Sequence, residues 1–186
     1  MSNLLAETKL AIELEVKGRD YYLLSAKQSK NPLAVSTFEG LAKRETYHIE
    51  MIKTLAEKIN RQQLTPGWLD QVDFTSEKSD LIKPILVALK ERLNRPFESA
   101  EDITAAYKVA EAMEKESFEF YEKVANESND PIVKSFFKTL ATEEKEHYSL
   151  LEETLLYLNN PGEWFKEQER WIVEGRPLQL APDAIL

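Results

Sequence analysis

Cysteine is missing from all 186 residues of this chain. That excludes a disulfide framework, a zinc finger, an iron–sulfur cluster, a rubredoxin-type iron centre and a thiol nucleophile. Glycine is scarce, with five residues in all, three of them after residue 60. Neither a glycine-rich nucleotide loop nor a β-sandwich is expected from so few. Basic residues are outnumbered, 24 Lys and Arg against 33 Asp and Glu, for a net charge of −9. Nucleic-acid binding needs clustered cations at the phosphates, so no nucleic-acid partner is expected. No run approaches the roughly 18 consecutive apolar residues that a membrane span requires, so no membrane is expected either. The start, Met1-Ser2-Asn3-Leu4-Leu5-Ala6-Glu7, lacks the basic residues and apolar run of a secretory signal. The expected location is cytoplasmic.

What is present is helical periodicity. With 42% hydrophobic and 31% charged residues, the composition is that of a globular chain long enough for one core or two merged halves. A first stripe runs Leu4, Thr8, Ala11, Glu15, Gly18, Tyr22, Ala26, Ser29, at the three-and-four spacing of one helix face. Asn31-Pro32 ends that helix and starts another, with Asn as N-cap and Pro at the first helical position. The second stripe is Phe38, Leu41, Glu45, His48, Ile52, Leu55, Ile59, closed by the breakers Thr65-Pro66-Gly67. Residues 61–99 are too long for a tight turn, and a helix is expected near Asp80–Leu93 with Pro84 in its first turn. The third stripe is Ile103, Tyr107, Ala110, Glu114, Ser117, Tyr121, Ala125, Ser128. Asp130-Pro131 repeats the capped start, and Phe137, Leu140, Glu144, His147, Leu151, Thr154, Leu158 form the fourth stripe, ended by Asn160-Pro161-Gly162. A short amphipathic helix with Trp164, Phe165 and Trp171 is expected next, then a tail with Pro177 and Pro182.

The halves repeat. At a constant offset of 99 residues, Ala11–His48 aligns with Ala110–His147 without a gap, and twelve of thirty-eight positions are identical. Core positions and caps recur in any pair of helical hairpins. The recurrence of Glu15, Glu45 and His48 as Glu114, Glu144 and His147, on apolar stripes, needs another cause.

That cause is chemical. In Glu45-x-x-His48 and Glu144-x-x-His147 the spacing of three places both side chains on one face, about 4.5 Å apart along the axis. Four carboxylates in an apolar interior repel one another and lose their hydration. Two divalent cations bring +4 against −4 and make the cluster neutral. Carboxylates with one imidazole per ion suit iron or manganese better than a metal that selects sulfur ligands. A single Glu-x-x-His is usually a solvated pair, but the chain's two histidines both fall in the repeated motif. Tyr22 and Tyr121 lie two turns beyond Glu15 and Glu114, where they either pack in the core or hydrogen-bond a ligand carboxylate. Glu111, about 60° round the helix from Glu114, is expected at a solvated edge rather than as a seventh carboxylate. Glu13, Glu116 and Glu119 are expected at the surface.

On Ala11-Ile12-Glu13-Leu14-Glu15 with Tyr22, Glu45-Thr46-Tyr47-His48, Met113-Glu114 with Phe120-Tyr121, and Glu143-Glu144-Lys145-Glu146-His147, the chain resembles the rubrerythrin branch of the ferritin-like superfamily over about residues 4–160. Such dimetal bundles take one Glu from each of two helices and Glu-x-x-His from the other two. The resemblance implies that Glu15 and Glu114 are terminal ligands, that Glu45 and Glu144 bridge the metals, and that His48 and His147 each complete one ion. Two departures qualify it. Rubrerythrins proper carry a cysteine-ligated rubredoxin iron, absent here, so electrons have to come from another donor, such as a rubredoxin-like protein. They also carry a further third-helix Glu where this chain has Ser117, which makes the six-ligand set closer to a bacterioferritin ferroxidase centre.

The expected fold is all-α, a ferritin-like four-helix bundle over residues 1–160. Hairpins 4–60 and 100–159 are joined by crossover 61–99, with a C-terminal helix and tail over 161–186. The expected function is non-haem di-iron oxidoreduction of hydrogen peroxide or oxygen, in a homodimer, with two iron ions and manganese as the alternative metal. Ferroxidase or iron-handling activity, a metal-stapled bundle without turnover, and a dimanganese catalase-like activity are the competing readings.

Overall fold

The computed structural model describes residues 2–72, 101–160 and 162. The expected Asp80–Leu93 helix, the Trp164/Phe165/Trp171 helix and the tail lie outside the described residues. Within them four long helices run Ser2–Gln28 (α1), Pro32–Asn60 (α2), Glu101–Glu127 (α3) and Pro131–Asn159 (α4), with a short 3-10 turn at Pro66–Gln71.

Identical chemistry builds the two hairpin corners. Asn31 Oδ1 accepts from the backbone N–H groups of Leu33 and Ala34 at 3.0 and 3.4 Å, and Pro32 opens α2. Asp130 Oδ1 accepts from Ile132 and Val133 at 2.8 and 3.2 Å, and Pro131 opens α4. Each cap satisfies N–H groups that the first helical turn leaves without partners. Ser29 and Ser128, also identical in the repeat, accept from the backbone N–H of Asn31 and Asp130 at 3.1 and 3.2 Å.

The helix α2 stops at Asn60, where the expected first hairpin ends and ahead of the breakers Thr65-Pro66-Gly67. Gln62 takes a left-handed φ of 55°, its N–H bonds Ile59 O at 3.1 Å, and Gln63 N–H bonds Lys58 O at 2.9 Å. This is a Schellman closure made without glycine. It sends the chain back so that Trp68 of the 3-10 turn is buried, stacked on Phe136 with centroids 5.9 Å apart.

Two apolar clusters fill the bundle. One gathers Tyr22, Phe38, Leu41, Tyr107, Leu151 and Leu158, and the other Ala11, Ile52, Leu55, Tyr121, Phe137 and Leu140. Along each helix the chain passes from one cluster to the other, and the acidic and histidine positions fall between them. Because α2 ends beside the second cluster and α3 begins beside the first, no tight turn can join them. This is the arrangement of two antiparallel hairpins expected from the repeat, and it encloses a polar layer in an apolar sleeve. Among the described residues no helix is long and apolar enough to cross a membrane.

Candidate metal centre

Each helix contributes to that polar layer from its stripe. Glu15 comes from α1, Glu45 and His48 from α2, Glu114 from α3, Glu144 and His147 from α4, and all six are buried. They form two overlapping groups whose potential ligand atoms lie within 4.8 Å of one another. One is Glu15, Glu45, His48 and Glu144; the other is Glu45, Glu114, Glu144 and His147. Glu45 and Glu144 belong to both groups.

The oxygens divide accordingly. Nδ1 of His48 lies 3.0 Å from Glu144 Oε1, 3.3 Å from Glu15 Oε2 and 3.4 Å from Glu45 Oε2. Nδ1 of His147 lies 3.4 Å from Glu144 Oε2, 3.5 Å from Glu45 Oε1 and 3.6 Å from Glu114 Oε2. Glu45 and Glu144 thus each turn one oxygen to each histidine, while Glu15 and Glu114 each serve one side. The imidazole rings lie nearly parallel, 17° apart in plane with centroids at 5.4 Å.

Burial dominates the electrostatics of this layer. Desolvation, reinforced by the charges of Glu45 and Glu144, holds the carboxyls of Glu15 and Glu114 well above the usual range. Desolvation would raise Glu45 as well, but hydrogen bonds with Glu15, His147 and His48 outweigh it and bring the group down to about 2. Glu144 is likewise lowered, its burial overcome by the facing His48 and by hydrogen bonds with both histidines. Burial opposes charge on His48 and His147, yet the surrounding carboxylates raise both. The shifts run in opposite directions within one layer: the fold raises the proton affinity of Glu15, Glu114 and both histidines and lowers that of Glu45 and Glu144.

The donor set fits metal. His147 Nδ1 and Glu144 Oε1 are buried and meet their neighbours in close polar contacts, His147 Nδ1 at 3.4–3.6 Å from three carboxylate oxygens and Glu144 Oε1 at 3.0 Å from His48 Nδ1, without well-directed hydrogen-bond geometry. Such poorly satisfied buried groups are costly unless a cation meets them. Oxygen-rich sites with one imidazole per ion suit iron or manganese.

Around the six, the helices exchange partners between halves. Tyr22 Oη on α1 donates to Glu114 Oε1 on α3, and Tyr121 Oη on α3 donates to Glu15 Oε1 on α1. Sequence spacing places each tyrosine on the stripe of the Glu in its own helix; packing gives it the Glu of the other half. Desolvation and the accepting carboxylates push both phenols well above their usual range, so they remain donors. Glu111 is buried, not at a solvated edge, and takes Lys108 Nζ at 2.6 Å while standing outside both ligand groups. Glu13, Glu116 and Glu119 are exposed, as their positions predict.

One pair escapes the stripe analysis. Arg44 and Glu143 each precede a Glu-x-x-His motif, occupy equivalent places in the repeat, and form a buried ion pair between α2 and α4. Glu143 also groups with His48 and His147 within 4.8 Å. The signal was an opposite charge at paired positions of the repeat, a feature that the exposed pair Lys17/Glu116 and the positions Glu39/Lys138 share.

No curated protein and no solved structure matches the chain. The model of one family, Rubrerythrin, matches residues 8–155, a span that holds all six clustered side chains and both tyrosines. The chain belongs to the rubrerythrin family.

Proposed function

We propose that this protein is a non-haem di-iron oxidoreductase that reduces hydrogen peroxide with electrons from an external donor. The observation that carries the reading is the pair of four-donor groups sharing Glu45 and Glu144. Glu15 and His48 would complete one iron site, Glu114 and His147 the other, with Glu45 and Glu144 bridging. Two ferrous ions, when bound, supply the two electrons that convert peroxide and two protons into two waters. The tyrosines act through the ligands: by occupying one oxygen of Glu15 and one of Glu114, they leave the other oxygen of each for metal. The apolar clusters above and below exclude bulk water from the polar layer. The chain has no cysteine for a rubredoxin-type relay, so a separate protein or small reductant returns the electrons. A cytoplasmic homodimer is the proposed setting.

An anaerobic Fe(II) titration, followed by stopped-flow mixing with peroxide or oxygen, tests this. Saturation at two irons per chain with peroxide much the faster oxidant is expected. Equal speed with oxygen would favour ferroxidase or oxidase chemistry. Binding without any oxidation would reduce the centre to a structural staple, and failure to bind iron would refute the metal assignment. Metal analysis after growth in balanced iron and manganese separates the dimanganese reading.

A further inference from the structure

A narrow cleft between α1 and α3 reaches the polar layer from the side opposite the histidine helices. Its walls are equivalent positions of the repeat: Lys17 with Glu116 at the mouth, Gly18 with Ser117 below, and Glu45 at the base. The cavity is about 10 Å³, at the lower limit for a single water, so anything larger enters only as the side chains at the mouth move aside.

Gly18 is the informative residue. A glycine within a helix weakens it relative to alanine, because its backbone loses more freedom on folding. Packing does not demand the glycine, since a Cβ there would sit 3.6 Å from Glu45 Cγ, 3.8 Å from Glu45 Cδ and 3.9 Å from Tyr22 Cε2, all ordinary contacts. Without a side chain, Gly18 leaves Glu45, the carboxylate shared by both donor groups, uncovered at the base of the cleft. Ser117, opposite, is small and half-buried. Above them Lys17 Nζ and Glu116 Oε2 stand 3.8 Å apart with both side chains more than half exposed. An exposed pair of this length is held weakly and parts readily.

We propose that this cleft is the port by which the oxidant reaches the metal centre, with Gly18 and Ser117 limiting entry to molecules of about the size of hydrogen peroxide and excluding bulky organic hydroperoxides. The inference rests on the di-iron reading above. Small side chains set the bore near the base, and the Lys17–Glu116 pair forms a loose cover at the mouth.

Cobalt(II) and azide test the port without turnover. Cobalt loads the site and reports ligand changes in its visible spectrum, and azide is a small probe of access. The wild type, Ser117→Leu and Gly18→Ala are each expected to bind two cobalt ions per chain. Azide is expected to perturb the wild-type spectrum rapidly, Ser117→Leu at least tenfold more slowly, and Gly18→Ala at an intermediate rate. With iron-loaded wild type, hydrogen peroxide is expected to oxidise the centre at least a hundredfold faster than cumene hydroperoxide, and Lys17→Ala to narrow that ratio. Unchanged azide kinetics in both cleft variants at full cobalt occupancy would overturn the port. Equal rates for the two peroxides in the wild type would overturn the size limit. A wild type that binds no cobalt would instead overturn the metal centre itself, so the two failures are distinguishable. Should Ser117→Leu fold poorly, Gly18→Ala, whose Cβ the packing accepts, carries the test alone.

Discussion

Loading the metal-free protein with two divalent ions should expel more protons per chain near pH 7 than the same groups would release at their ordinary affinities. The perturbation is addition of cobalt(II) or zinc(II), which bind without redox chemistry. The direction follows from the cluster: Glu15, Glu114, His48 and His147 are the four groups whose proton affinity the fold raises. Glu45 and Glu144 are lowered and have no proton to give. All six must be deprotonated to act as ligands. With ordinary carboxyl and imidazole affinities, the same six groups would release only about half a proton in total at pH 7, from the two histidines. Calorimetric titration in buffers of different ionisation enthalpy reads the number directly. Release of no more than about half a proton at full occupancy would refute the raised affinities described above.

The pH dependence of stability has a definite sign. For His48 and His147 the folded affinity is raised above the unfolded value of 6.5, so their stabilisation is complete below that pH and is lost as pH rises through the folded value. Glu15 and Glu114 behave alike from their unfolded value of 4.5. Glu45 works in the other direction: its contribution is present above 4.5 and lost as pH falls toward about 2. The metal-free bundle should therefore melt at lower temperature as pH rises above neutral. The metal-loaded bundle should gain affinity over the same interval, as protons cease to compete. At a metal concentration a thousandfold above Kd, linkage adds about 4 kcal/mol per ion, about 8 for two, or roughly 16–32 °C in a chain of this size.

Substitutions separate the roles. Glu45→Ala should lower occupancy at both metal positions and relieve repulsion in the metal-free protein, whereas Glu15→Ala should lower it at one; metal analysis of purified variants decides, and unchanged metal content in Glu45→Ala contradicts the bridging role. Tyr22→Phe and Tyr121→Phe should preserve two metals per chain but weaken binding about 10–100-fold, and should destabilise the metal-free fold by about 1–3 kcal/mol through an unsatisfied carboxyl oxygen. Arg44→Ala should cost about 3–5 kcal/mol in denaturant melts, because Glu143 is left charged in the interior. The double variant Arg44→Met/Glu143→Leu should recover most of that loss; a double variant as unstable as Arg44→Ala would show that the pair's role is not electrostatic.

Features that depend on one helix or one corner were readable from the chain. The Asn31-Pro32 and Asp130-Pro131 corners form because a side-chain oxygen meets N–H groups two and three residues on, a distance that no other part of the molecule alters. Glu45 and His48 share a face because a spacing of three on a helix requires it, and the repeat doubles that pair. The Gln62 turn was less legible, since a left-handed residue at a helix end is usually glycine. Only tertiary packing decided the partners. Helical period says which side of a helix a residue occupies but not which helix it meets. The crossed bonds of Tyr22 to Glu114 and Tyr121 to Glu15 therefore needed the assembled bundle. So did the burial of Glu111, the Arg44–Glu143 pair and the cleft at Gly18 and Ser117, each set by how four cylinders close on one another.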